Sequence, residues 1–233
     1  MSSLRSKYVF LTFVYQMLKN KHKLNEDLIN NYLACKAFCS KTIEASKINL
    51  VVEGKDNIPD SGPTLIASNH KSFFDILLLV TAIDRAMPFA AASELMNYPV
   101  LRDYIKGINC VLIDREETDF NNLKEELNNL DNAINNTGLI LFPKGECSYN
   151  IDEIKEFKKG GFMKTTKRDI TIIPTYIDSP KLDNIGSWYV PKGDVKITFG
   201  EGFIPKEVFN GRIMPSMVAD YTRRKVLDLK NKV

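Results

Sequence analysis

Histidine is almost missing from this chain. It has two in 233 residues, His22 and His70, and His22 stands between Lys21 and Lys23, so a reaction that needs an imidazole must use His70. Cysteine is nearly as sparse. The four thiols, Cys35, Cys39, Cys110 and Cys147, are too few and too scattered for a disulfide scaffold. Cys35 and Cys39 share a helix face, but no further Cys/His pair completes a metal site. Reduced thiols in a cytosolic setting, with neither metal nor organic cofactor, are the expectation. No apolar run reaches the ~20 residues a membrane-crossing helix needs. Nucleophile-elbow, Walker-type and dinucleotide fingerprints are all absent. A net charge of only +3, with no basic cluster interleaved with aromatics, argues against a nucleic-acid partner.

What is present reads as an ordinary globular protein: one large domain, or one domain with a small appendage. Residues 4 to 18 hold a short aromatic-rich apolar segment, Tyr8 to Tyr15, flanked by Arg5 and Lys7 before it and Lys19, Lys21 and Lys23 after it. No small-residue cleavage site follows. Such a segment suits a membrane interface or an ordinary core helix. A second helical stretch, Leu28 to Ile43, carries Leu28, Tyr32, Cys35, Cys39 and Ile43 at helical spacing. Residues 1–45 are thus expected to form a helical pair ahead of a main domain over 46–233.

From Ile48 onward strand and helix patterns alternate. Strands are expected at Ile48 to Val52, Thr64 to Ser68, Asn109 to Ile113, Gly138 to Phe142, Ile170 to Ile173 and Val195 to Phe199. Helices are expected from about Phe73 to Ile83, Phe120 to Ile134, Lys159 to Lys167 and Met214 to Leu229. In the second of these, Phe120, Leu123, Leu127, Leu130 and Ile134 should share the buried side. The run Lys155, Lys158, Lys159, Lys164, Lys167 and Arg168 is either a solvated helix face or a surface that attracts phosphates. This alternation predicts an α/β fold with a mostly parallel central sheet, whose ligands gather beyond the carboxyl ends of the strands. Three chemically loaded segments fall there: Asn69 to Asp75, Asp114-Arg115, and Pro143 to Ser148.

The first of these, Asn69-His70-Lys71-Ser72-Phe73-Phe74-Asp75, admits two readings. An imidazole at a strand exit with a carboxylate five residues on is what general-base chemistry requires. Ser72 to Asp75 is also a helix-start signature, with Ser72 as N-cap and Asp75 reaching back from the first turn.

These segments together resemble the glycerolipid (lysophospholipid) acyltransferases, the family typified by bacterial 1-acylglycerol-3-phosphate acyltransferases. Asn69-His70 through Asp75 matches its N-H-x-x-x-x-D block. Ala92 to Leu95, Pro99, Gly107 and Val111 to Arg115 resemble the second block. Phe142-Pro143-Lys144-Gly145-Glu146-Cys147-Ser148 resembles the third, usually F-P-E-G-T-R-S. Phe157 to Phe162 and Ile172-Ile173-Pro174 resemble the segments that follow. The likeness runs from about residue 50 to 204, with the blocks in order.

The resemblance implies the family's α/β fold, with the N-terminal helical pair ahead of it. It implies acyl transfer from acyl-CoA or acyl carrier protein to the free hydroxyl of 1-acylglycerol 3-phosphate, giving phosphatidic acid. His70 would be the general base and Asp75 its partner. Amides at the start of the following helix would meet developing negative charge. Asn69, Arg115, Lys144, Gly145, Glu146 and Ser148 would bind substrate, Arg115 taking the phosphate. The N-terminal helices resemble a tether, which implies a membrane surface as partner and a place on the cytoplasmic face of the cell membrane. The third block departs from the pattern: Lys144, Glu146 and Cys147 stand where Glu, Thr and Arg are usual. A pocket rewired for the same acceptor, a different acceptor such as glycerol 3-phosphate or another lyso-lipid, and a non-catalytic lipid-binding relative all remain open.

Overall fold

Two helices open the chain, and each is apolar for a different reason. Leu4–Asn20 (α1) buries Val9, Phe13 and Met17 on one side. Its other side leaves Leu4, Tyr8, Leu11, Tyr15 and Leu18 more than half exposed. Leu28–Ser46 (α2) starts at Asp27, whose carboxylate accepts from the Asn30 amide as an N-cap. It buries Tyr32, Cys35, Cys39 and Ile43, the stripe its spacing predicts. His22 lies in the 3-10 turn Lys21–Lys23 between them.

The computed structural model describes residues 4–114, 117–145, 154–179, 182–185 and 188–232. After α2 come Asn49–Glu53 (β1), Thr64–Ser68 (β2), Phe74–Ala82 (α3), Ala90–Ala92 (β3), Pro99–Gly107 (α4), Val111–Ile113 (β4) and Phe120–Asn136 (α5). Leu139–Leu141 (β5), Thr171–Asp178 (β6), Leu182–Ile185 (β7), Trp188–Pro191 (β8), Asp194–Phe199 (β9), Pro205–Val208 (α6) and Pro215–Lys230 (α7) complete it.

Five strands form the central sheet, in the order β1-β9-β6-β2-β5. All neighbours run parallel except β6 and β9, so the sheet is mostly parallel, as the alternation predicts. β2 is buried at every position, as a central strand covered on both faces must be. Its alternate side chains feed two cores. Ile66 joins Ile140 and Ile173 under α1, α2 and α3. Leu65 and Ala67 join Leu139 and Ile172 under α5 and α7. β3 and β4 form a parallel pair, which a bridge from Phe89 to Ile140 carries alongside β5. The ends of β2, β5 and β4 therefore lie along one edge.

Several expectations need correction. Lys159 to Lys167 is not a helix but a 3-10 turn, Lys159–Phe162, followed by further turns. Gly160-Gly161 weakens a helix by about 1 kcal/mol per glycine. Gly161 also lies so close to Leu141 that an added Cβ would come within 2.2 Å of it. Phe120 and Leu123 are exposed, because α5 reaches the core only from Leu127 onward. β4 begins at Val111 rather than Asn109, whose φ of 54° closes the preceding turn instead of extending a strand. The short elements β3, α6, β7 and β8 carry too few residues for a periodic signal, and the sequence reading places neither them nor α4.

Candidate active site

β2 ends in a turn tied down on both sides of His70. The Asn69 amide spans to β6: its Nδ2 donates to the Ile177 carbonyl at 3.0 Å, and its Oδ1 accepts from the Ile177 N–H at 2.7 Å. Both polar ends of the side chain are thereby used on backbone. The fold thus gives Asn69 a clamping role, fixing where the turn leaves the sheet, beside the substrate-binding role expected of it.

Asp75 sits fully buried in the first turn of α3. One of its oxygens, Oδ2, meets three groups: His70 Nδ1 at 2.9 Å, the Lys71 N–H at 2.6 Å and the Ser72 N–H at 2.9 Å. The helix-start contacts and the contact to His70 are therefore all made by a single atom. A carboxylate oxygen that accepts from two amides also takes the imidazole as a donor, so Nδ1 carries the hydrogen and Nε2 is the basic nitrogen of the neutral ring. The helix begins one residue later than the signature suggests. Phe73 occupies the cap position, while Ser72 Oγ accepts from the Phe74 N–H at 3.2 Å. This changes one expectation: the Lys71, Ser72 and Phe74 amides are committed to Asp75 and Ser72, not to charge developing on a substrate.

The imidazole plane is fixed by Phe142, the first residue of the third block. Its ring stacks on His70 with centroids 3.9 Å apart and planes 12° from parallel. Phe89 backs it with centroids 6.2 Å apart. Past Phe142 the chain turns: the Gly145 N–H donates to the Phe142 carbonyl, and Gly145 adopts φ of 80°. Lys144 and Gly145 are half-buried at this turn. The Lys158 N–H holds Pro143 from the following segment, and Lys158 Nζ lies 3.3 Å from where a Gly145 Cβ would stand. Two lysines, Lys144 and Lys158, thus border the turn beside His70. Arg115, Glu146, Cys147 and Ser148 lie outside the described residues. Asp114 ends β4 on the same edge, its amide donating to Glu126.

Beside the dyad, α1, α2, α3 and α4 enclose an apolar cleft of about 550 Å³, its open mouth included. Phe13, Cys39, Phe73, Leu77, Val80 and Phe89 are among the residues that line it. Phe73 belongs to the histidine turn itself, and Phe89 backs Phe142. Phe13 meets both Phe38 and Phe73 edge to face, at 5.8 and 5.7 Å. Tyr104 seals the far wall, donating to the Met17 carbonyl at 2.8 Å. Cys35, Cys39 and Cys110 face the cleft, and burial raises all three thiols, Cys110 to about 12. They serve as small apolar wall groups rather than nucleophiles.

Sequence reasoning named His70 and Asp75, which the fold brings into contact. It did not name Phe142 as a partner of the imidazole, nor Lys71, which is buried beside them. A buried lysine leaves no sequence signal, but an aromatic at a strand end next to the histidine strand offers a weak one.

Known proteins resemble this chain in sequence and in fold. A family model described as Acyltransferase matches residues 49–178, more than half of the chain. The 1-acyl-sn-glycerol-3-phosphate acyltransferase of Helicobacter pylori is 27% identical over 179 residues, covering 76% of this chain and 73% of that protein. A probable 1-acyl-sn-glycerol-3-phosphate acyltransferase of Mycoplasma genitalium is 32% identical over 136 residues, 54% of this chain and 48% of that one. The crystal structure of the 1-acyl-sn-glycerophosphate (LPA) acyltransferase PlsC from Thermotoga maritima superposes with a TM-score of 0.74 at 26% identity, covering 97% of this chain and 95% of that one.

Proposed function

The chain belongs to the Acyltransferase family, and we propose that it moves a fatty acyl group from a thioester to the free hydroxyl of 1-acylglycerol 3-phosphate, giving phosphatidic acid. The observation that carries this reading is the His70–Asp75 pair at 2.9 Å, with Phe142 stacked on the imidazole and Phe73 of the same turn lining an apolar cleft. A base for a hydroxyl and a place for a hydrocarbon chain stand side by side.

The chemistry follows from the geometry. His70 Nε2 takes the proton from the acceptor hydroxyl as its oxygen bonds to the thioester carbonyl carbon. Asp75 balances the imidazolium that forms. When the tetrahedral intermediate collapses, the C–S bond breaks and the proton passes from Nε2 to the departing sulfur. No protein nucleophile is needed. The acyl chain of one substrate occupies the cleft between α1 and α3. Arg115 takes the acceptor's phosphate and Lys144, Gly145, Glu146 and Ser148 contribute to substrate binding, with Lys158, whose ammonium lies beside Gly145, adding a cation to the turn. The donor is acyl-CoA or acyl carrier protein.

Attachment to the cytoplasmic face of the cell membrane completes the proposal. Among the described residues no helix is long and apolar enough to cross a bilayer. The outward stripe of α1, Leu4, Tyr8, Leu11, Tyr15 and Leu18, continues into Ile29 and Leu33 of α2, also more than half exposed. Lys7 and Lys19 flank that stripe. A surface helix with an apolar outer face and basic flanks lies in the headgroup region of a membrane.

An acceptor panel with one acyl donor tests the reading: lysophosphatidic acid, glycerol 3-phosphate and a lyso-lipid without a terminal phosphate. Lysophosphatidic acid should be preferred, and Arg115→Ala should erase that preference. A wild-type rate from His70→Ala would remove the mechanism. Purified protein that binds lysophosphatidic acid without turnover would favour the lipid-binding alternative.

A further inference from the structure

Lys71 is the one residue of the histidine turn that the mechanism leaves without work. Its side chain is about 95% buried, and among the described residues its Nζ has no hydrogen-bond partner. It departs from the turn toward β6 and ends 3.7 Å from Asp178 Oδ1 and 5.5 Å from the centre of the Tyr176 ring. Tyr176 belongs to the core under α5 and α7, whereas Phe142, stacked on His70, belongs to the core under α1 to α3. Asp75 Oδ1, the carboxylate oxygen that His70 does not use, is likewise buried without a partner among the described residues.

We propose that Lys71 is a positioning residue for acyl transfer, a buried ammonium that sets the proton affinity of His70 through the shared field of Asp75. This rests on the reading of His70 as the general base. The charges that face Lys71 come from three elements: Asp75 of α3, Asp178 of β6 beside the Tyr176 ring, and Lys230 of α7. Burial lowers the affinity of the ammonium for its proton, Asp178 and Asp75 restore it, and Lys230 opposes it. A cation that faces Asp75 disfavours a second proton on the imidazole sharing that carboxylate, which favours the neutral, working form of the base. Asn69 and Lys71 thus bracket His70 within the same turn, one by hydrogen bonds to backbone and one by charge.

Having only two histidines makes the test direct. The imidazole C2 protons of His70 and His22 are titrated by NMR in the full-length protein, with His22→Gln to assign them and His22 as internal reference. Lys71→Met and Lys71→Gln remove the charge, and Lys71→Arg keeps it. The His70 midpoint should rise by on the order of half a pH unit in the neutral variants. It should stay at the wild-type value in Lys71→Arg, with His22 unmoved throughout. The acid limb of kcat/KM should move with it. If one neutral variant does not fold, the other carries the test. If neither folds, Lys71→Arg carries the test, and its His70 midpoint must equal the wild-type value. An unchanged midpoint in a folded neutral variant overturns the proposal, and so does a midpoint in Lys71→Arg that shifts as far as in the neutral variants. The midpoint is read from the ring and not from turnover, so this result is separate from His70→Ala, which alone decides the base assignment.

Discussion

His70 and Phe142 come from different strands, 72 residues apart, and meet ring on ring at 3.9 Å. Asp75 fixes one atom of the imidazole, while Phe142 fixes its plane. A hydrogen bond alone leaves a ring free to swing about its donor atom, and the stack removes that freedom. Phe142→Ala should therefore lower kcat by about two- to tenfold, the equivalent of the roughly 0.5–1.5 kcal/mol such a stack contributes. Phe142→Tyr, which keeps the ring, should stay near wild type. Steady-state kinetics with a fixed donor check both.

Removing the base is more severe. His70→Ala should cost about 10²- to 10⁴-fold in kcat, the usual range for a positioned acid–base group. Asp75→Asn should cost both rate and stability. Its amide nitrogen cannot accept from the Lys71 and Ser72 amides, and a buried donor left without a partner costs about 1–3 kcal/mol. Thermal unfolding of the Asp75 variant beside its rate separates the two losses.

Asn69→Ala is expected to act chiefly on stability. It leaves the Ile177 N–H and carbonyl in a buried strand without their partner, a cost of about 1–3 kcal/mol for each group that finds no water. The unfolding midpoint should fall by several degrees, and the KM for the acceptor should change little. A raised KM at unchanged stability would make Asn69 chiefly a substrate ligand.

The cleft makes a prediction about chain length. Cys39→Phe adds bulk to a wall that borders Phe38 and Leu77, so it should shift the preferred acyl chain toward shorter members of a donor series. Overpacking would cost about 1–3 kcal/mol, so folding is checked first. An unaltered chain profile in a folded variant would place the acyl chain elsewhere.

Membrane docking is tested by point changes rather than by removing residues 1–45, because Phe13 and Met17 of α1 help build the core and deletion would open the cleft. Tyr8→Ser, Leu11→Ser and Tyr15→Ser face outward and should leave the fold intact. Each should weaken flotation with anionic vesicles by about tenfold, given roughly 1.5 kcal/mol or more per buried side chain. Retained flotation in the triple variant would move the attachment surface away from α1.

The sequence carried the long-period and block-like parts of this protein. β2, α2 and α7 follow from their apolar patterns to within a few residues, and the H-x-x-x-x-D spacing placed His70 and Asp75 in one turn. Elements of three or four residues, such as β3 and β8, fell below that resolution because no period can repeat within them. The Lys159 to Lys167 reading failed through a tertiary demand, the close approach of Gly161 to Leu141. Asn69 was legible as part of a site but not in its clamping role, since only the fold shows that Ile177 lies opposite it. Nothing in the sequence marked Lys71 as buried, because lysine is so rarely buried.

α1 has two apolar faces with different neighbours. The inward one, at Phe13, borders the cleft, and the outward one, at Tyr8 and Leu11, meets the surroundings. A helix is about 10–12 Å across. On the proposed docking, a lipid tail in the cleft and the tails of the surrounding leaflet would be separated by that single partition. The product could then leave sideways, tail first along hydrocarbon, without passing its chains through water at about 0.8 kcal/mol for each methylene. Turnover would then be limited by lateral exchange with the leaflet rather than by escape into solution, and it should respond to the packing of the lipids around the protein.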